Sequence, residues 1–205
     1  MKQNLALAAC FLTCITAFAD QHPSEEVAPS YAHRINFNLL RLGYEHIKLD
    51  AYYVGVECWY VLGFNSQDDL KPILGEAEAR IGYNFSLNAS NVFTPIVGCG
   101  YFKSFQSDKR QDIVFSSMGF RYEYVIGPIF SLGLNLEGML GYSQDNRHPS
   151  WGNPIWGVDA GLPFTWRFAK TRRWDFRFEP FFTKWYGQNT EVFFVGARSA
   201  LGYRF

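Results

Sequence analysis

Few side chains in this sequence stand where they could do covalent chemistry. Hydrolases and acyl transferases need a histidine beside a serine, aspartate or glutamate. Of the four histidines, His22, His33, His46 and His148, only His148 meets that condition within one short stretch, with Ser150 and Asp145. All three fall in a polar segment, and closeness along a loop does not aim a base at a nucleophile. The reading is a solvated loop, and the chain is expected not to be an enzyme. There is no metal-ligand spacing, phosphate-binding glycine loop or Cys-x-x-Cys motif, so no cofactor is expected.

The more regular signal is where charge falls. Glu78, Arg80, Arg121, Glu123, Glu137, Asp159, Arg167, Arg177, Glu179 and Arg198 each lie next to an apolar or aromatic residue of the other parity. Around Gly127-Pro128, Val114, Met118, Phe120, Tyr122 and Tyr124 share one parity while Ser117, Gly119, Arg121 and Glu123 share the other. Downstream of that turn, Phe130, Leu132, Leu134, Leu136 and Leu140 oppose Ser131, Gly133, Asn135 and Glu137. Trp174, Phe176, Phe178 and Phe182 likewise oppose Asp175, Arg177 and Glu179. A period of two sustained this long specifies strands, each with its charges on one face.

Nine such segments begin near Arg34, Tyr52, Glu76, Val92, Ile113, Ile129, Ile155, Trp174 and Glu191. The first is irregular: Ile35, Phe37 and Leu39 have one parity, Leu40, Leu42 and Tyr44 the other, which implies a bulge or a segment outside the sheet. Short turns at 127–128 and 170–173 are interleaved with longer polar stretches at 65–74, 106–112 and 144–154.

At the N-terminus, Lys2, an apolar run over 5–18, and small residues at Ala17 and Ala19 before Asp20 have the layout of a secretory signal peptide covering 1–19, cut between Ala19 and Asp20. A lipoprotein reading, with Cys10 acylated, is disfavoured because the apolar run continues past Cys10. Residues 20–33 read as a periplasmic lead-in and 34–205 as one domain. Two cysteines follow the leader, Cys58 and Cys99, in a compartment that permits disulfides; whether they are free or bridged stays open.

Charge is balanced at 19 basic and 19 acidic residues, which argues against a nucleic-acid partner held through phosphates. Aromatic residues make up 19% of the chain, more than a soluble core needs. Beyond the leader, no apolar run is long enough for a membrane helix. Three features point instead to strands in a membrane. The segments are long, where soluble strands average about 5 to 6 residues and membrane strands need about 9 to 11. Aromatics gather at segment ends, as at Tyr122, Tyr124, Trp166 and Phe168. Connection lengths alternate between short and long.

The last strand ends on Phe205, with Tyr203 and Leu201 on the same parity. These residues resemble the C-terminal assembly signal of outer-membrane proteins, which implies recognition by a barrel-assembly machinery. Together with the strand pattern, residues 31–205 resemble the small Gram-negative outer-membrane β-barrels, the group of the OmpA transmembrane domain, OmpX and the opacity-type adhesins. The resemblance implies an all-β, antiparallel, up-and-down transmembrane barrel of eight strands, ten being the alternative, with outer-membrane lipid as its surroundings. Such a barrel is expected to be monomeric, to fill its interior with the charged parity, and to display its longer loops to a host or surface ligand. A small porin-like channel for ions or solutes and a lipid-modifying enzyme are the alternatives.

Overall fold

In the computed structural model, which describes residues 31–64, 70–104, 111–143, 154–168, 171–187 and 191–205, every regular element is a strand. They are β1 (His33–Asn38), β2 (Arg41–His46), β3 (Ala51–Phe64), β4 (Leu70–Asn88), β5 (Asn91–Ser104), β6 (Gln111–Val125), β7 (Phe130–Ser143), β8 (Ile155–Gly161), β9 (Phe164–Phe168), β10 (Trp174–Tyr186) and β11 (Glu191–Arg204). All pairings are antiparallel, and β11 pairs with β1 as well as β10, so the sheet closes on itself. His33 and Phe205 exchange two backbone hydrogen bonds, 3.1 and 3.0 Å, across that seam. The seam is paired from Leu201 to Arg204 of β11; towards the loop end, among the described residues, β11 runs on past the short β1–β2 hairpin without a strand partner on that side.

β8 and β9 are one interrupted stave. β8 pairs with the Phe181 to Tyr186 part of β10 and β9 with the Trp174 to Phe178 part, and both also pair with β7. The break falls at Leu162 and Pro163, where proline has no N–H to give the ladder. The chain keeps its place in the sheet because Gly133 N donates to Pro163 O at 2.7 Å and Leu162 N to Pro180 O at 3.0 Å. The barrel therefore has ten staves, which corrects the expected eight.

The miscount lies in the first segment. Residues 33–46 form two strands, not one, joined through Leu39 and Leu40 with Asn38 opposite Arg41. Across a two-residue turn, cross-strand partners have opposite sequence parity, so Ile35 faces the same side as Tyr44, and Phe37 the same side as Leu42. The change of parity in the sequence is this turn rather than a bulge. Asn38 builds it, its Oδ1 accepting from Leu40 N at 2.6 Å.

The strand ends flanking 65–69, 105–110 and 144–153 all lie at one end of the barrel, here the loop end. The other, the turn end, has the connections between β2 and β3, β4 and β5, β6 and β7, and β9 and β10, plus the strand termini His33 and Arg204. Three of its connections use the left-handed region: Gly127 at φ 79°, Arg172 at φ 51° and Asp50 at φ 50°, the last accepting Ser86 N on its side chain at 2.9 Å.

The two faces of the sheet are inverted relative to a soluble protein. Large apolar side chains stand outward: Ile81 is 60% exposed, Met118 69% and Val195 70%. Buried residues are more often polar or charged than hydrophobic. Aromatic rings flank the outward aliphatic band. At the turn end Tyr52 packs on Tyr83 and Trp174 on Tyr203, with centroids 5.7 and 4.9 Å apart; at the loop end Trp156 stacks on Tyr186 at 3.8 Å and Phe182 meets Phe193 at 4.9 Å. On β6, Tyr124 belongs to the first ring, and Val114 pairs with Tyr142 of the second. Ten residues at roughly 3.4 Å each, tilted by about 40°, place the rings about 25 Å apart along the axis.

Cys58 and Cys99 are free. Cys58 pairs with Ala77 and Cys99 with Ala79, on opposite sides of β4. Two inter-strand spacings of about 4.8 Å keep them beyond the reach of a disulfide, which needs Cα atoms within about 7 Å.

Candidate functional site

The inward parity of the ten staves lines a lumen, and its contents fall into three layers. At the loop end the lining is apolar. Trp59, Leu74, Phe102, Ile113, Phe115, Met139, Ile155, Phe181 and Trp185 form one buried cluster, with Phe194 packed against it. Trp185 and Ile113 are fully buried and Phe102 is 1% exposed. Phe115 and Phe102 meet the Trp185 ring at centroid distances of 5.5 and 5.8 Å, and Trp59 meets Phe181 at 5.4 Å.

Below this cluster lies an ionic layer. Arg80 bridges Glu78 at 2.6 Å and Glu137 at 2.9 Å, and Ser117 donates to Glu78 at 2.6 Å. Arg198 pairs with Asp159 at 2.8 Å, Arg177 with Glu179 at 3.2 Å, and Arg41 with Glu57 at 2.6 Å. Thr183 also donates to Asp159, and Asn135 to Glu179 at 2.7 Å. The two layers interlock: the Arg198 guanidinium lies 4.1 Å from the Phe181 ring centroid and 4.4 Å from that of Trp59, whose indole N–H reaches Glu76 at 3.3 Å. A void of about 10 Å³ lies among these charges, about the size of one water.

At the turn end the lumen opens into a cup of about 340 Å³. Its polar wall is built around Glu45 and Glu123, with Asp175 behind it. Glu45 takes Arg34 at 3.2 Å, Arg121 at 2.5 Å and Arg177 at 3.7 Å, and also accepts from Asn36 and Tyr53. Asp175, fully buried, pairs with Arg34 and with Arg204, the latter at 2.8 Å. Glu123 holds Arg167 at 2.6 Å and accepts from Ser131 at 2.5 Å. Gly202 makes room for the Arg34 and Asp175 pair at the seam, since a Cβ there would lie 2.7 Å from Arg34 Nε.

The ten charged residues singled out from the sequence all fall on the inward parity, spread over the lower two layers. Four further charged residues of the lumen, Arg34, Arg41, Glu45 and Glu76, were not singled out. The first three belong to the unrecognised opening hairpin; Glu76 shares the parity of Glu78 and Arg80 and could have been found by it. The apolar layer was missed as well, although Phe181 and Trp185 share the parity of Arg177 and Glu179, and Ile113 and Phe115 that of Arg121 and Glu123. Large apolar residues on a charged parity near one end of their strands were the legible signal.

At the seam, Leu201 pairs with Phe176 and Phe37, Tyr203 packs on Trp174, and Phe205 is 48% exposed and stacked on His33 at 5.4 Å. His33 Nδ1 is 2.7 Å from Tyr44 Oη, and His46 Nδ1 is 2.5 Å from Tyr52 O. Ala19 and Asp20 of the expected cleavage site, His22, and the cluster of His148, Ser150 and Asp145 lie outside the described residues.

No protein-family model matches the chain, and no curated protein does. Among solved structures it is similar to the outer membrane channel DcaP of Acinetobacter baumannii, at 10% identity and a TM-score of 0.42, over 90% of this chain and 67% of that one. It is also similar to the outer membrane protease OmpT from Escherichia coli, at 10% identity and a TM-score of 0.40, over 84% and 92%. Likenesses this distant assign neither transport nor proteolysis to this chain. They do correct the expectation that it is no enzyme: one structure of similar shape is a protease, so a barrel of this kind is no ground for excluding catalysis.

Proposed function

We propose that the chain is an integral outer-membrane barrel whose body is a sealed scaffold, and that its role lies in presenting the loop-end connections to the cell's surroundings, as an adhesin does. The observation that carries this reading is the filling of the lumen. Among the described residues, the apolar cluster and the paired charges of the middle layer fill the lumen between the loop end and the cup. A buried charge that could not pair would be costly, and in this lumen cations and carboxylates are matched. The outward apolar band supports the membrane setting, because a soluble monomer rarely exposes more than a few hundred Å² of contiguous apolar surface. Its height of about 25 Å between aromatic rings fits the band of outer-membrane barrels. The leader at 1–19 supports export, and Leu201, Tyr203 and Phe205 support assembly by a barrel-insertion machinery. With the turn end toward the periplasm, the loop-end connections, the longest of them at 65–69, 105–110 and 144–153, are left to meet a ligand.

A planar-bilayer recording tests this. The refolded protein is expected to give no steady openings. A stable ohmic conductance would overturn the scaffold reading in favour of a small-solute channel.

A further inference from the structure

The lumen is balanced in charge as a whole but not along its axis. In the cup, six guanidinium groups, those of Arg34, Arg121, Arg167, Arg172, Arg177 and Arg204, stand around Glu45 and Glu123 and against Asp175 behind the wall. Carboxylates are therefore shared: Glu45 serves three arginines and Asp175 two, while Arg167 has Glu123 to itself. Arg172, at the mouth, makes no ion pair with a described residue. The middle layer is reversed: Glu57, Glu78, Glu137, Glu179 and Asp159 share Arg41, Arg80 and Arg198 together with Arg177, which bridges Glu179 here and Glu45 in the cup, and Glu76, hydrogen-bonded by Trp59, adds a further carboxylate.

This separation gives the cup a positive field with a negative layer at its floor. An anion entering from the turn end is drawn in and stopped there. Tyr31, Ile47, Leu49, Val92 and Pro163 give the wall an apolar part, and a volume of about 340 Å³ lies within the range of small-molecule sites. We propose that the cup is a binding site for small organic oxyanions bearing two or more negative charges, which the guanidinium forks grip and the apolar wall orients. Such a site goes beyond the scaffold role and uses the face opposite to the loops.

Calorimetric titration of the refolded chain, residues 20–205 in detergent, with citrate tests the proposal, and glucose serves as a neutral molecule of similar size. Citrate is expected to bind one per barrel, more weakly as salt rises, and glucose not at all. Two substitutions should act in opposite directions. Arg172→Asn removes a mouth charge and keeps a residue that tolerates the left-handed φ of 51°, and it should weaken citrate binding about tenfold. Glu123→Gln releases Arg167 and should tighten binding several-fold, which misfolding cannot mimic. Absence of citrate heat up to about 10 mM, or equal heats for glucose, would overturn the site. So would an increase in citrate affinity in a Glu25→Gln, Glu26→Gln variant equal to that of Glu123→Gln, because the occupant would then be the chain's own acidic lead-in.

Discussion

Replacing Glu45 by glutamine keeps the shape of the side chain and removes the charge on which three arginines converge. Its carboxylate lies 2.5, 3.2 and 3.7 Å from Arg121, Arg34 and Arg177, with 7% of the side chain exposed. At an effective dielectric constant of about 20, one pair at about 4 Å attracts by about 4 kcal/mol. Loss of three such attractions is partly offset, because glutamine is less costly to bury than a carboxylate. Removing one partner of a buried pair costs about 3–5 kcal/mol in net terms, and the upper part of that range is expected here, since three cations are left facing one another. Equilibrium urea unfolding in detergent micelles, followed by tryptophan fluorescence, measures it. The exposed pair of Lys184 and Glu191, 2.8 Å apart, is the comparison: Glu191→Gln should leave the unfolding midpoint where it was. A loss below about 1 kcal/mol for Glu45→Gln, the size of a surface pair, would refute the idea of Glu45 as a hub of buried ion pairs in the cup wall.

Three further outcomes are expected. Met118→Arg, at the middle of the outward band, should destabilise the barrel by about 2–4 kcal/mol in lipid, whereas a solvent-facing methionine would tolerate arginine within about 0.5 kcal/mol; unfolding in vesicles separates the two. Trp185→Ala removes the centre of the apolar layer and should cost about 3–5 kcal/mol, and it should introduce intermittent openings in bilayer recordings that the parent lacks; stability within about 1 kcal/mol of the parent would mean that the layer is loosely packed. Alkylation of the unfolded, unreduced chain should modify both Cys58 and Cys99, read as two adducts by mass spectrometry; an unreactive pair would contradict the strand register across β4.

Eight of the nine segments read from the sequence correspond to single staves because a closed antiparallel sheet repeats one local rule, period two with charge on one parity, and that rule is visible wherever a strand is long. It broke down at residues 33–46, where the strands are only six residues each and the two turn residues are apolar leucines, with Asn38 ahead of them as the one turn-forming residue. Against so small a turn signal, the parity flip reads as a defect in one strand. The partners of the lumenal charges are a different matter. Arg34 meets Asp175 only because β1 closes against β11 beside β10, a contact 141 residues apart that no local spacing encodes. The apolar layer was hidden by the same rule that revealed the strands. Equating apolar with outward holds along the outward aliphatic band, but near the loop end the interior must also be filled, and Trp59, Phe102, Phe115 and Trp185 fill it with volume rather than charge.

The orientation of the two parities is tested most directly at Met118, which stands outward midway along β6. A nitroxide attached at Met118→Cys, in a background with Cys58 and Cys99 replaced by serine and the protein in lipid vesicles, reports its surroundings by collision with oxygen or with a water-soluble nickel chelate. Strong relaxation by oxygen and little by the chelate is expected, because the side chain points into hydrocarbon. Strong relaxation by the chelate would put Met118 in water and contradict the account of a barrel whose apolar face is its lipid face.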